Sequence, residues 1–491
     1  MLHDRIAPAI VAAVSGGLLN VVGDAADNTI IVSRRADGVV LVNGATVAFA
    51  GGALNVSQTS QIFVSGGDGN DILKVVSTNG GLPPVTLRGG NGNDTLIGGL
   101  EKDRLFGDAG NDSLQGRENN DLLRGGAGDD TLAGGRGTDQ LLGDAGNDLL
   151  IWNDGEKNDS FEGGADADKV QINLSAGDDE IEVSANLSRA SISRTNGTAF
   201  VLDVGTTEAV DLNLLAGVDR TILDNLAGTG VAAVNIDMGV AGAGDAAADR
   251  VFVNCTQGDD IVQVTGLNGA VQVSGLAAQV NIAHSEAAND FVSVLGLGGA
   301  DTLSGGLLAT LIKLGLVGDD GNDTLSGGNG DDLLSGGNGD DTIDGNQGSD
   351  SAQMGDGNDT FVWNPGDGSD LIDGDAGLDT LQFNGSAAAE TFTLSGNANG
   401  VLLERDVGNI DMDLRGMETL NLNTLGGADA ITLFDVSTST LRTVNLDLGS
   451  SGSGDGASDS VTVTGTSGLD LMSISGSGGT VALNSQVLNL S

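Results

Sequence analysis

From Gly89 to Ile151 a leucine recurs every nine positions, at Leu96, Leu105, Leu114, Leu123, Leu132, Leu141 and Leu150, and an aspartate stands two residues before each one. Cut at the glycines, the stretch reads as seven gapless repeats: GGNGNDTLI, GGLEKDRLF, GDAGNDSLQ, GRENNDLLR, GGAGDDTLA, GGRGTDQLL and GDAGNDLLI. The glycines permit the positive φ of a tight turn, and the last three residues suffice for a short strand. Turn and strand therefore alternate. Two repeats would close one coil of a flattened right-handed solenoid, each strand pairing with the strand one coil away at roughly 4.8 Å. The eighth-place leucines then point inward and form the core. A second block runs from about Gly318 to Asp379, and single copies begin at Gly66 and Gly296.

Outside the blocks the nine-residue period lapses, and valine and isoleucine alternate with polar residues at period two, bounded by Gly, Asn and Asp, as strands do. The predicted organisation is an N-terminal β-rich segment over 1–88, a first roll over 89–168, a β-rich segment over 169–295, a second roll over 296–382 and a second β-rich segment over 383–491. The later four parts are two copies of one unit. WNDGEKNDSFEGGADADKV from Trp152 is matched by WNPGDGSDLIDGDAGLDTL from Trp363, and the match continues at an offset of 211 to Arg194 and Arg405, then at 210. The second copy stops near the counterpart of His284, so the parent protein ends there or this chain is part of a longer one. The two tryptophans, each just after a roll, are expected to cover the open end of the leucine core.

Folded this way, the sixth-place aspartates stack in columns along both edges. Two carboxylates about 5 Å apart repel by roughly 0.8 kcal/mol in water and about 3 kcal/mol at a dielectric of about 20. A hard divalent cation taking six to eight oxygens from carboxylates and turn carbonyls converts that repulsion into a link between coils, and calcium suits a flexible turn better than magnesium.

The pattern GGxGxDxUx is similar to the hemolysin-type calcium-binding repeat of the RTX proteins. The resemblance covers residues 89–151 and about 318–382. It implies an all-β chain with parallel β-rolls (a β-solenoid), several bound calcium ions, and export from a bacterium by type I secretion to the outside or the cell surface. Carried over repeat by repeat, it implies metal ligands at Asp71, Asp94, Asp103, Asp112, Asp121, Asp130, Asp139, Asp148, Asp301, Asp323, Asp332, Asp341, Asp350 and Asp359. Turn carbonyls at Gly90, Gly92, Gly110, Gly128, Gly146, Gly321, Gly330 and Gly339 complete the implied set.

Charge and composition narrow the partners. With 69 acidic and 20 basic side chains the formal charge is −49, which argues against nucleic acid. The 39% hydrophobic content argues against the disorder that such charge otherwise suggests. Aromatics are 3%, so a large carbohydrate-stacking surface is not expected. The one cysteine, Cys255, excludes an internal disulfide and reads as a bland small residue in a strand. No apolar run reaches the length of a membrane span. The stretch IAPAIVAAV is short, and Asp4 beside Arg5 spoils the charge pattern of a cleaved signal.

Only His3 and His284 exist, which excludes an HExxH zinc protease, and no serine sits in GxSxG. The reading is therefore a non-enzymatic, calcium-binding structural, adhesive or matrix protein, whose partners beyond calcium are surface glycans or matrix. The alternative is a polysaccharide-active enzyme with carboxylate catalysis in the β-rich segments. Within the first roll the two edges should differ. Turns GGNGND, GDAGND, GGAGDD and GDAGND make a regular edge, whereas GGLEKD, GRENND and GGRGTD place Glu101, Arg117 and Asn119 where glycines belong. Lys102, Arg117 and Arg136 bring positive charge that either opposes a cation or pairs with the column, so weak or missing sites are expected beside Asp103 and Asp121.

Overall fold

Each repeat of the first block forms one short strand, and successive strands fall on opposite sheets because the intervening turn reverses the chain. In the computed structural model, which describes residues 10–50, 52–450, 453–454, 456–464, 473–477 and 480–484, one sheet holds Val85–Asn91, Arg104–Ala109, Leu122–Ala127, Gln140–Ala145 and Ser160–Ala165, all parallel. The other holds Thr95–Ile97, Ser113–Glu118, Thr131–Arg136, Leu149–Asn153 and Lys169–Asn173, again parallel. Leu105 pairs in register with Leu123 and Leu123 with Leu141, two repeats apart. All seven eighth-place leucines are buried. The coil of two nonapeptides and its leucine core are as the period predicts.

The chain forms two compact units, residues 1–245 with 277–283, and residues 246–276 with 284–491. In the first unit the same two sheets extend on either side of the nonapeptides. Leu18–Val22 pairs with Gln61–Asp68, which pairs with Val85–Asn91. On the opposite sheet Lys169–Asn173 pairs with Ala209–Asn213, then Ala233–Asp237, then Gln279–Ala283. The β-rich segment is thus made of wider coils, and the extra residues form antiparallel strands such as Glu180–Asn186, Arg189–Arg194 and Phe200–Gly205. Asparagines stack between these coils: Asn173 donates to Asn153 at 2.9 Å and Asn213 to Asn173 at 2.7 Å.

The second unit repeats the plan. Lys313–Asp320, Leu333–Asn338, Ser351–Gly357 and Leu371–Asp373 form one sheet. Thr324–Ser326, Thr342–Asp344, Thr360–Trp363, Thr380–Asn384 and Thr419–Asn423 form the other. Thr391–Gly396 and Val401–Arg405 make the antiparallel pair of its wider coil.

The tryptophans do not cap an open end. Both are fully buried, because the roll continues past them: Trp152 pairs with Ile172 and Trp363 with Phe383 in the next coil. Trp152 lies 4.3 Å from Phe200 and Trp363 stacks 4.1 Å from Phe383. Each indole donates to a backbone carbonyl, of Lys157 and Gly368. Cys255 is buried, and burial pushes its thiol up to about 12, which makes it inert at neutral pH. Of the apolar N-terminal stretch, Val11–Ser15 is a strand antiparallel to Leu18–Val22, while His3 and the residues up to position 9 lie outside the described residues. So do residues 485–491, where the second copy stops. Among the described residues no helix is long and apolar enough to cross a membrane.

Candidate metal columns

The Asp-x-Leu spacing fixes where each carboxylate goes. The leucine points into the core, so the residue two before it lies on the same side, at the bend where turn becomes strand. The column aspartates are accordingly buried. One oxygen of each does structural work. Along one edge of the first unit, Oδ1 of Asp71 accepts the Asn28 N–H at 2.7 Å, and Oδ1 of Asp94, Asp112, Asp130 and Asp148 accepts the N–H of the column aspartate one coil before, at 2.7–2.8 Å. Along the other edge Asp103 accepts from Val85, Asp121 from Asp103 and Asp139 from Asp121, at 2.6–2.8 Å. In the second unit Asp301, Asp323, Asp341 and Asp359 form one such chain, and Asp350 accepts from Asp332. Neighbouring repeats therefore do lie on opposite edges, and alternate repeats share one. The columns are not purely repulsive, since half of each carboxylate already joins one coil to the next.

The second oxygen is left over. Oδ2 is buried and without a hydrogen-bond partner on Asp71, Asp94, Asp112, Asp121, Asp130, Asp139, Asp148, Asp301, Asp323, Asp341, Asp350 and Asp359. Burial is the main cause that pushes Asp94, Asp130, Asp139 and Asp341 up to about 7, and Asp121 and Asp350 up to about 8, against an ordinary 3.8. Asp112, Asp148 and Asp301 rise to about 6, while Asp71, Asp323 and Asp359 are raised, all chiefly by burial. A bare, buried carboxylate oxygen is costly unless protonated or met by a cation.

The first-place glycine supplies the room for a cation. A Cβ on Gly89 would sit 2.1 Å from Asp94 Oδ2 and 2.8 Å from the Gly107 carbonyl oxygen. The same point lies 2.2 and 2.6 Å from Asp112 Oδ2 and Gly125 O at Gly107, and 2.2 and 2.5 Å from Asp323 Oδ2 and Gly336 O at Gly318. A carboxylate oxygen and a carbonyl oxygen from the next coil thus converge where no side chain stands. A hard cation, which takes carboxylate and carbonyl oxygens together, would draw on such a pair. Among the described residues no three His, Cys, Asp or Glu side chains converge, so an ion held here would rely on one carboxylate per turn together with turn carbonyls. When bound, calcium supplies the positive charge that the column lacks.

The glycines named from the repeat pattern all have positive φ, from 122° at Gly92 and Gly128, through 123°, 126° and 127° at Gly90, Gly110 and Gly146, to 133°, 143° and 148° at Gly339, Gly321 and Gly330. Their visible role is stacking. A Cβ on Gly110 would lie 2.1 Å from the Gly92 carbonyl oxygen, and one on Gly339 1.8 Å from that of Gly321. The first-place glycines, kept in all seven repeats of the first block, are not among the residues that the repeat pattern singles out. Nor is the continuation of the columns. Asp168 accepts from Asp148 and Asp159 from Asp139; Asp370 accepts from Asp350 and Asp379 from Asp359. Their Oδ2 atoms are also buried and unpartnered. The signal was the same Asp-x-apolar spacing, with Phe161, Val170 and Ile372 in place of leucine and Leu381 keeping it.

Asp103 and Asp332 stand apart. Their second oxygens accept the N–H of Gly99 and Gly328 at 2.6 and 2.5 Å. Each belongs to the first repeat of its edge, beside a coil whose turn is not a nonapeptide, so the glycine N–H turns inward. On the irregular edge Arg117 and Asn119 do adopt positive φ, 92° and 68°. Arg117 and Arg136 do not pair with the aspartate column: Arg117 donates to the Val75 carbonyl and Arg136 faces Glu118. Lys102 acts on Asp121 through space, lowering a carboxylate that burial and its neighbours raise.

At the head of each wider coil a buried guanidinium meets the column carboxylate. Arg194 contacts Asp179 at 2.8 Å and Asp154 at 2.6 Å, with its guanidinium carbon 5.1 Å from the Phe200 ring centre. Arg405 bonds Glu390 through Nε at 2.7 Å and lies 5.1 Å from the Trp363 ring centre.

Parallel coils with an inward leucine, stacked turn glycines and a bare carboxylate oxygen at each bend define a calcium-binding β-roll. The family model of the RTX calcium-binding nonapeptide repeat matches at residues 86–114, 115–150, 317–352 and 366–382. The chain is an RTX-repeat protein. Among curated proteins none matches it.

Proposed function

We propose that this chain is a secreted or cell-surface protein that folds on calcium and serves as a structural, adhesive or matrix component, with surface glycans as its partners and no catalytic role of its own. The observation that carries the reading is the column of buried, unpartnered Oδ2 atoms. It makes the metal-free roll an incomplete structure at neutral pH, and calcium, scarce in cytoplasm and abundant outside cells, completes it. The carboxylates are spread one per turn along an edge, each with an oxygen already committed to the backbone. A pair facing each other across a cleft, as hydrolysis of a sugar linkage requires, is a different arrangement. Duplication of the whole unit favours binding, where copies add avidity, over chemistry at a single centre.

Far-UV circular dichroism of the full chain in chelator and in millimolar calcium tests the folding claim, and an unchanged spectrum would sink it. Incubating the calcium-loaded protein with neutral and acidic polysaccharides tests the rest. Retention without shortening is expected; release of oligosaccharides would make it an enzyme.

A further inference from the structure

Across the first roll the outward residues Arg88, Phe106, Arg124 and Leu142 lie in register on adjacent strands. Beside them is a groove of about 590 Å³, lined among others by Phe63, Arg88, Phe106, Asp108, Arg124 and Asp144. That volume is typical of ligand sites. Arg88 clasps Asp108 through Nε and Nη2 at 2.5 and 2.8 Å, and Arg124 clasps Asp144 in the same way two strands on. The chain has 11 phenylalanines and no tyrosine. Phe161, Phe200, Phe361, Phe383 and Phe392 are buried; Phe49, Phe252 and Phe291 are half-exposed like Phe63 and Phe106, Phe434 is exposed, and of these six only Phe63 and Phe106 line the groove.

We infer that this groove binds a neutral polysaccharide, an inference that rests on the adhesive reading above and gives it a place. Exposed ion pairs on a sheet face contribute about 0–1 kcal/mol, so stability gives two such pairs little weight. As a recognition surface they make sense. A sugar ring offers an apolar C–H face for an aromatic ring and hydroxyls that both donate and accept. A guanidinium with five N–H donors uses two positions on its aspartate and keeps others, and a carboxylate accepts at four lone pairs. The two pairs repeat at roughly 9.6 Å, two strand spacings, so an extended chain crossing the strands meets the same contacts again.

Charge selects the occupant. The groove's two arginines are matched by its two aspartates, while the whole chain carries −49, so a polyuronate meets repulsion and an uncharged glycan does not. The counterpart face of the second copy has diverged. Val317, Ser335 and Gln353 replace Phe106, Arg124 and Leu142 in register, and Gln353 donates to Asp375. That face is an internal control.

The test is affinity electrophoresis of the full calcium-loaded chain through gels containing a neutral β-glucan, a galactomannan or polygalacturonate. Retardation by a neutral polymer is expected, lost in chelator because the groove floor is roll. The variant F106A/R124A should bind at least tenfold more weakly, with its calcium-induced circular dichroism kept since both side chains point outward. F106W should bind as the parent, and Q353A on the counterpart face should change nothing. Binding that survives F106A/R124A overturns the groove and leaves the adhesive reading standing. Retardation by polygalacturonate alone overturns the neutral occupant. No retardation by any polymer overturns both.

Discussion

The columns set a dependence on pH that reverses when calcium is removed. Asp94 is raised by burial from 3.8 to about 7. A group whose folded pKa lies above its unfolded value contributes stability that is complete below the unfolded pKa and is lost as pH rises through the folded one. In chelator, then, the roll loses stability between about pH 4 and about pH 7. At 1.36 kcal/mol per pKa unit, the shift from 3.8 to about 7 corresponds to at most about 4 kcal/mol for Asp94 alone. Asp130, Asp139 and Asp341, also near 7, act in the same direction. A single ion at a thousand times its Kd stabilises the folded state by about 4.1 kcal/mol, enough to offset one such carboxylate, and one ion per turn offsets the column.

The assay is thermal unfolding by far-UV circular dichroism from pH 4.5 to 8, in chelator and in 5-millimolar-class calcium. In chelator Tm should fall with rising pH until the cooperative transition is lost towards neutrality; in calcium it should rise over the same window, because the ion requires ionised carboxylates. Surface repulsion in so acidic a chain also favours low pH. It is screened in about 1 M salt, where the Debye length is roughly 3 Å, whereas the buried contribution persists. A chelated protein that becomes more stable from pH 5 to 8 in high salt would refute the reasoning.

Three further outcomes follow from single positions. Gly107→Ala places a methyl 2.2 Å from Asp112 Oδ2 and 2.6 Å from Gly125 O; it should destabilise by about 3 kcal/mol and reduce the calcium stoichiometry measured by titration calorimetry. Asp112→Asn should remove calcium binding at its turn, whereas Asp103→Asn, whose two oxygens both accept N–H groups, should cost about 1–3 kcal/mol of folding with the stoichiometry unchanged; equal calcium loss in both would contradict the geometry. Trp emission should shift to the blue on adding calcium and become inaccessible to acrylamide, since both indoles are buried inside the stack; quenching that calcium does not alter would refute that burial.

Much of the fold was legible because a nine-residue period is a strong constraint. Leucine two after aspartate, repeated without a gap, fixes which residues face the core and, at two repeats per coil, which turns share an edge. The bare Oδ2 atoms were not legible. A column of aspartates read from sequence looks like pure repulsion, and only coordinates show that Oδ1 of Asp112 is taken by the Asp94 N–H while Oδ2 is left over. The β-rich segments read as something different because their coils vary in length. Lys169–Asn173 meets Ala209–Asn213 across 40 positions and Ala233–Asp237 meets Gln279–Ala283 across 46, and no fixed period survives such insertions. What does survive is the aspartate two before an inward residue, as at Asp168 and Val170.

The wider coils answer the same electrostatic problem by different means. In a nonapeptide the charge of the column must be met from outside, because the turn is too short to carry a long side chain back to its own carboxylate. A wider coil has a hairpin, and the hairpin returns Arg194 to Asp179 and Arg405 to Glu390. A guanidinium is charged at every pH that the protein meets, so these links need no calcium. Arg405→Met should therefore destabilise the second unit by about 3–5 kcal/mol, the cost of leaving Glu390 buried and unpaired, whereas removing both charges in R405M/E390M should return most of it. Denaturant titration in saturating calcium reads both. Should excess calcium restore R405M to parental stability, the cation and the guanidinium would be interchangeable at Glu390, and the two kinds of coil would share one mechanism after all.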